Sequence, residues 1–66
     1  MGAYYDVRVY WPNEGYGGGR GELTKEQADK EVENLKRQGY GKARNPIRVL
    51  FVRHIEIVRE VNDQPE

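Results

Sequence analysis

The 66-residue chain contains no cysteine and no serine, one threonine and one histidine. Without cysteine, disulfide bonds, thiolate metal sites and a cysteine nucleophile are all excluded. A single histidine makes a zinc site improbable. His54 and Glu56 are close enough in sequence to share a strand face, but no serine or cysteine nucleophile accompanies them. The sequence therefore predicts a protein that is not an enzyme and that uses no metal or cofactor.

The chain also lacks an excess of charge of either sign. Eleven lysines and arginines balance eleven aspartates and glutamates, so the formal net charge is zero. This balance argues against strongly electrostatic binding of nucleic acid, and equally against an acidic mimic of nucleic acid. No long apolar run and no secretory signal is visible. We therefore expect a soluble, cytoplasmic protein.

The length predicts a single domain over residues 1–66. A domain of this size buries only about 60% of the surface that its unfolded chain exposes, so its stability margin is thin. Small domains without disulfide bonds often gain apolar core by associating. The last residues, 62–66, are polar, and we expect a frayed tail there.

The stretch from Leu23 to Tyr40 has the pattern of one amphipathic helix. Thr24 is suited to the N-cap, and Gln27 completes a capping box three residues later. Gly39 supplies the left-handed residue that ends many helices. The apolar stripe at helical spacing consists of Ala28, Val32 and Leu35.

Two stretches predict strands. In Ala3–Trp11, successive side chains fall alternately on a more apolar and a more polar face, and Pro12 ends the strand. Its predicted core face carries Tyr5, Val7, Val9 and Trp11. Ile47–Val61 is longer than an ordinary strand. Because it contains no glycine, proline, asparagine or aspartate for a tight turn, we favour one long or bent strand over a hairpin turning near Arg53 and His54.

The glycine-rich stretch Asn13–Glu22 predicts a loop. Its glycines do not fit G-x-G-x-x-G, no G-K-[ST] ending follows, and Glu22 would repel a phosphate at the helix entrance. A flexible connector is the simplest interpretation. The alternative is a mobile loop in which Tyr16 and Arg20 contact a partner.

These elements predict an α+β domain of two layers. Their order is strand, glycine-rich loop, helix and a long strand that is bent or split, with the helix on one sheet face. A helix that connects two strands favours a right-handed, parallel βαβ unit. The remaining strands would come from a bend in the last segment or from a second copy. The predicted core comprises Val7, Val9, Trp11, Val32, Leu35, Val49, Phe51 and Ile57.

A single helix covers one face of a sheet, so the other face stays exposed. Tyrosine and arginine are enriched in protein interfaces. We therefore expect a binding protein with a protein partner; the alternative is a module that stacks nucleic-acid bases on the same side chains. By base rate, such short chains are common among accessory proteins of phages and mobile elements. The predicted partner-binding residues are Tyr4, Arg8, Tyr10, Tyr16, Arg20, Arg48 and His54.

The last strand also predicts a homodimer. Ile47–Val61 is longer than Ala3–Trp11 can pair, and an unpaired strand edge favours pairing with another chain. Two antiparallel copies could place opposite charges across a two-fold axis. The predicted dimer interface consists of Ile55, Ile57, Val58, Arg59 and Val61. An internal hairpin is the competing account of the same residues.

Overall fold

The fold is that of a computed structural model, which describes residues 4–51 and 56–62. The chain order is strand, strand, helix, strand, strand. The elements are β1 (Tyr5–Trp11), β2 (Gly15–Leu23), α1 (Lys25–Arg37), β3 (Ile47–Phe51) and β4 (Glu56–Val61). The strands form one four-stranded sheet in the order β2-β1-β3-β4, and every neighbouring pair is antiparallel. With α1 packed on one face, the domain is the predicted two-layer α+β fold.

The predicted parallel βαβ unit is wrong, because β1 and β3 pair antiparallel. The reason is the additional strand β2, which returns the chain to the starting end of β1 before the helix begins. The helix then carries the chain to the opposite end of the sheet. From there β3 runs back along β1, with Ile47 opposite Val9 and Phe51 opposite Tyr5.

The predicted glycine-rich loop is also wrong, because β2 occupies most of that stretch. The ladder between β1 and β2 extends from the Trp11–Gly15 pair to the Tyr5–Leu23 pair. The glycines permit close packing there: a Cβ atom at Gly17 would lie 3.2 Å from the indole nitrogen of Trp11. Close approach to β1 therefore accounts for Gly17 and Gly19, the latter with a Cβ position 2.0 Å from the Val7 carbonyl oxygen.

The last segment is a pair of strands, so the preferred single long or bent strand is wrong and the hairpin alternative is confirmed. β3 and β4 pair antiparallel, from the Ile47–Val61 pair to the Phe51–Glu56 pair. This pairing satisfies the backbone groups of β3 that face away from β1. The free energy gained from these backbone hydrogen bonds outweighs the lack of favourable turn residues. The predicted turn position at Arg53 and His54 lies outside the described residues.

The helix begins and ends as predicted. The Thr24 hydroxyl accepts from the Gln27 backbone N–H at 3.2 Å, and the Gln27 side chain accepts from the Thr24 N–H at 3.0 Å. At the other end, the Tyr40 N–H donates to the Leu35 carbonyl at 3.1 Å, with Gly39 at φ +104°. Both hydrogen-bond patterns satisfy backbone groups that have no partner inside the helix. Within the described part of the chain, no helix is long and apolar enough to cross a membrane.

The core lies between the helix and the three strands beneath it. Its buried members are Val7, Val9, Leu23, Ala28, Val32, Leu35, Ile47 and Val49. Of the predicted core residues, Trp11 and Phe51 are only half-buried and Ile57 is exposed. The prediction for Ile57 fails because a bulge in β4, opposite Val49 and Leu50, shifts the alternation of its side chains and pairs Ile57 with Leu50.

Candidate binding face of the sheet

The sheet has one face covered by α1 and one opposite face, called here the open face. Alternation in β1 and β3 points Val7 and Val49 toward the helix. In each strand, the residues that alternate with these core residues therefore lie on the open face. Those of β1 and β3 are Asp6, Arg8, Tyr10, Arg48 and Leu50.

Four side chains on this face form a connected group, called here the tyrosine–arginine cluster: Tyr10, Tyr16, Arg48 and Glu60. The guanidinium carbon of Arg48 lies 3.7 Å from the centroid of the Tyr10 ring. Its Nη1 donates to the Tyr16 hydroxyl at 3.3 Å, and its Nε donates to the Glu60 carboxylate at 2.6 Å. The two tyrosine rings meet edge to face, with centroids 5.1 Å apart.

The sheet register positions each member of the cluster. Tyr10 of β1 is opposite Tyr16 of β2, and Arg48 of β3 is opposite Glu60 of β4. Arg48 is also next to β1, where its register partner is Arg8. The cluster therefore spans all four strands, and its geometry depends on the pairing of the whole sheet.

On the described part of the open face, Arg8 and Arg48 both have acidic partners. The Tyr16 hydrogen bond raises the pKa of Arg48 most, with a further contribution from Glu60, so the guanidinium stays charged. Arg8 lies 3.4 Å from the carboxylate of Asp6. In strand register, Arg8 and Arg48 face each other, an unfavourable placement for like charges that these carboxylates offset. The described part of the open face therefore offers aromatic and hydrogen-bonding surface on which Arg8 and Arg48 are already paired with carboxylates.

The structure brings together some of the predicted partner-binding residues and separates others. Tyr10, Tyr16 and Arg48 are in contact, as described. Tyr4 stacks on Phe51 at the other end of the sheet, with ring centroids 6.3 Å apart. Arg20 is exposed in β2 and has no ion-pair partner within the described residues. His54 lies outside those residues.

The sequence interpretation missed Glu60 as a member of the cluster. The feature that could have identified Glu60 is the hairpin register, which places this residue directly opposite Arg48. A single long strand puts the two residues far apart, so the preferred interpretation of Ile47–Val61 concealed the ion pair. A hairpin with this register would have predicted Arg48 and Glu60 as an opposite-charge pair across the two strands.

The predicted dimer residues are distributed over both faces of β4. Ile57 is on the open face, whereas Val58 lines a groove on the helix side. Arg59 forms an ion pair with Asp29 of α1, and Val61 packs against the core. Ile55 lies outside the described residues. The premise of an unpaired overhang is wrong, because β4 pairs with β3 in the same chain, and self-association itself stays a prediction.

Comparison of the chain with models of protein families, with curated proteins and with solved structures finds no match.

Proposed function

We propose that this is a non-enzymatic binding protein that contacts another protein through the open face of its sheet. The tyrosine–arginine cluster is the observation that supports this function most strongly. Tyrosine and arginine are, with tryptophan, the side chains enriched at the energetic centre of protein interfaces. Tyr16 is 45% exposed and therefore accessible to a partner.

The cluster is held in place before any partner binds. Arg48 has contacts on three sides: the Tyr10 ring, the Tyr16 hydroxyl and the Glu60 carboxylate. Its side chain is only 20% exposed. A long side chain that is already ordered loses less conformational entropy on binding, so more of its contact energy contributes to affinity.

Nucleic acid is the second candidate, and the exposed ring of Tyr16 beside Arg48 favours it. Two features of the cluster weigh against it. The guanidinium occupies one face of the Tyr10 ring, where a base would stack. Glu60 and Asp6 pair with the arginines that would otherwise contact phosphates. A protein partner therefore fits the open face better.

Photo-crosslinking from defined positions tests the proposed face. A photoreactive phenylalanine derivative replaces Tyr16 in one variant. In the control variant it replaces Lys30, which is exposed on the helix, away from the sheet. In cells of the source organism, we expect a discrete protein adduct from position 16 and none from position 30. Equal yields of the same adduct from both positions would contradict a binding site on the open face.

Substitution of Arg48 tests the cluster itself once the crosslinked protein is purified. We expect Arg48→Ala to weaken its binding by about thirtyfold or more, as for an interface hot spot. Lys30→Ala is the control and should bind like the wild type. Circular dichroism of both variants separates lost binding from lost folding.

A salt series with labelled single-stranded and double-stranded oligonucleotides tests the second candidate. Binding that weakens steeply with salt would favour nucleic acid, because phosphate contacts release counterions. We expect no binding at low salt. A cytoplasmic location and an accessory role in a phage or mobile element stay predictions from composition and size.

A further inference from the structure

The two outer strands of the sheet differ in their capacity to accept another strand. The ladder of β2 is interrupted at two places, and Gly18, Gly19 and Glu22 in it have positive φ angles. The ladder of β4 is interrupted once, opposite Val49 and Leu50. Bulges and irregular backbone protect an edge against strand addition. Of the two edges, β4 is therefore the more regular template.

β4 also exposes apolar side chains on both faces of the sheet. Ile57 on the open face is 46% exposed, and Val58 on the helix side is 47% exposed. The helix packs over β1, β2 and β3, and a groove of 260 Å³ lies between it and β4. Val58 lines that groove together with Tyr5, Lys25, Ala28, Asp29, Val49 and Arg59. Among the described strands β4 is the least buried, and two of the exposed large apolar side chains, Ile57 and Val58, lie on it.

We infer that the protein self-associates through β4. The free edge of β4 pairs with β4 of a second copy, and the two strands run antiparallel about a two-fold axis. A head-to-tail contact would require the edge of β2, which is the more irregular of the two edges. Pairing of the same edge on both copies avoids β2 altogether. Such a contact is closed by symmetry and yields a dimer rather than a filament.

The charges of β4 fit this arrangement. Glu56 begins the strand and has no ion-pair partner within the described residues. Arg59 lies in its second half and uses Nη2 for Asp29, while its side chain remains 48% exposed. Antiparallel pairing brings the first half of one strand against the second half of the other. In the register that sets Glu56 of one copy opposite Arg59 of the other, each two-fold-related pair places opposite charges against each other, and they attract.

Analytical ultracentrifugation over a concentration series, at low salt, tests the inference. We expect a reversible change from the monomer mass to the dimer mass. Ile57→Lys should raise the dissociation constant at least about tenfold, because it places a charge in the interface centre. Since Ile57 is exposed in the monomer, circular dichroism should show an intact fold. A wild-type protein that stays monomeric to millimolar concentration would overturn the inference.

A charge exchange provides the sharper test. Glu56→Arg alone should weaken the dimer about two- to thirtyfold, because the symmetry axis repeats each lost contact. Adding Arg59→Glu exchanges the two charges and should restore most of the affinity. Glu26→Arg on the helix is the matched control and should leave the dissociation constant unchanged. A double variant that associates no better than Glu56→Arg would exclude the proposed antiparallel contact.

Discussion

At the scale of single residues, Gly19 shows why β2 needs glycine. Its φ is +105°, and a Cβ atom there would lie 2.0 Å from the Val7 carbonyl oxygen and 3.1 Å from the Arg8 Cα. Both neighbours are backbone atoms, so no side-chain rotation can relieve the overlap. Because the positive φ adds backbone strain to this overlap, we expect Gly19→Ala to lower the free energy of unfolding by about 2–5 kcal/mol, measured by urea denaturation.

Gly18 provides the control for this prediction. It also has a positive φ, of +32°, but a Cβ atom there would meet no other heavy atom within 4 Å. Gly18→Ala therefore incurs only the backbone strain of the left-handed region, about 1–2 kcal/mol. Equal losses in the two variants would show that steric overlap at Gly19 is relieved by movement of the strands.

At the scale of elements, the helix is anchored by one buried stripe. Leu35 is among its most buried side chains and lies in the core. We expect Leu35→Ala to cost about 2–5 kcal/mol of unfolding free energy, because it removes apolar contacts and leaves a cavity. Lys30→Ala, on the exposed side of the same helix, should change stability by less than about 0.5 kcal/mol. A melting temperature like that of the wild type would mean that the helix does not pack through this face.

The ion pair between Arg59 and Asp29 connects β4 with the helix. Its two side chains are roughly half exposed, so solvent screens their attraction. A double-mutant cycle with Arg59→Gln and Asp29→Asn should give a coupling energy of about 0.2–1 kcal/mol, falling as salt is added. A coupling well above that range would show that the pair is shielded from water.

The elements also show what the sequence can predict. The helix was predictable because its cap, stripe and terminal glycine are local signals. Tyr10 and Arg48 could be assigned to one face because alternation is local as well. β2 was missed because Gly19 and its neighbours suggest flexibility, whereas close approach to β1 is a tertiary requirement. The role of Glu60 depends on hairpin register, which the residues of Ile47–Val61 do not specify locally.

At the scale of the whole molecule, the strand order predicts a gradient of local stability. β1 and β3 are flanked by strands on both sides and contribute Val7 and Ile47, which are fully buried. β2 and β4 are edges. We expect the slowest amide hydrogen exchange in β1 and β3 and faster exchange in β4, measured by NMR. Dimer formation would slow exchange in β4 as protein concentration rises, whereas exchange at low concentration reports the monomer.

The contact between β1 and β3 has a kinetic consequence. Each hairpin, β1–β2 and β3–β4, pairs residues that are near in sequence, but this contact joins distant ones, from Val9–Ile47 to Tyr5–Phe51. Closing so long a loop is the costly step of folding. Val7→Ala should therefore slow refolding in stopped-flow experiments, whereas Val61→Ala should mainly accelerate unfolding. The two hairpins would then act as preformed halves, and the rate at which they meet would set the lifetime of the unfolded chain.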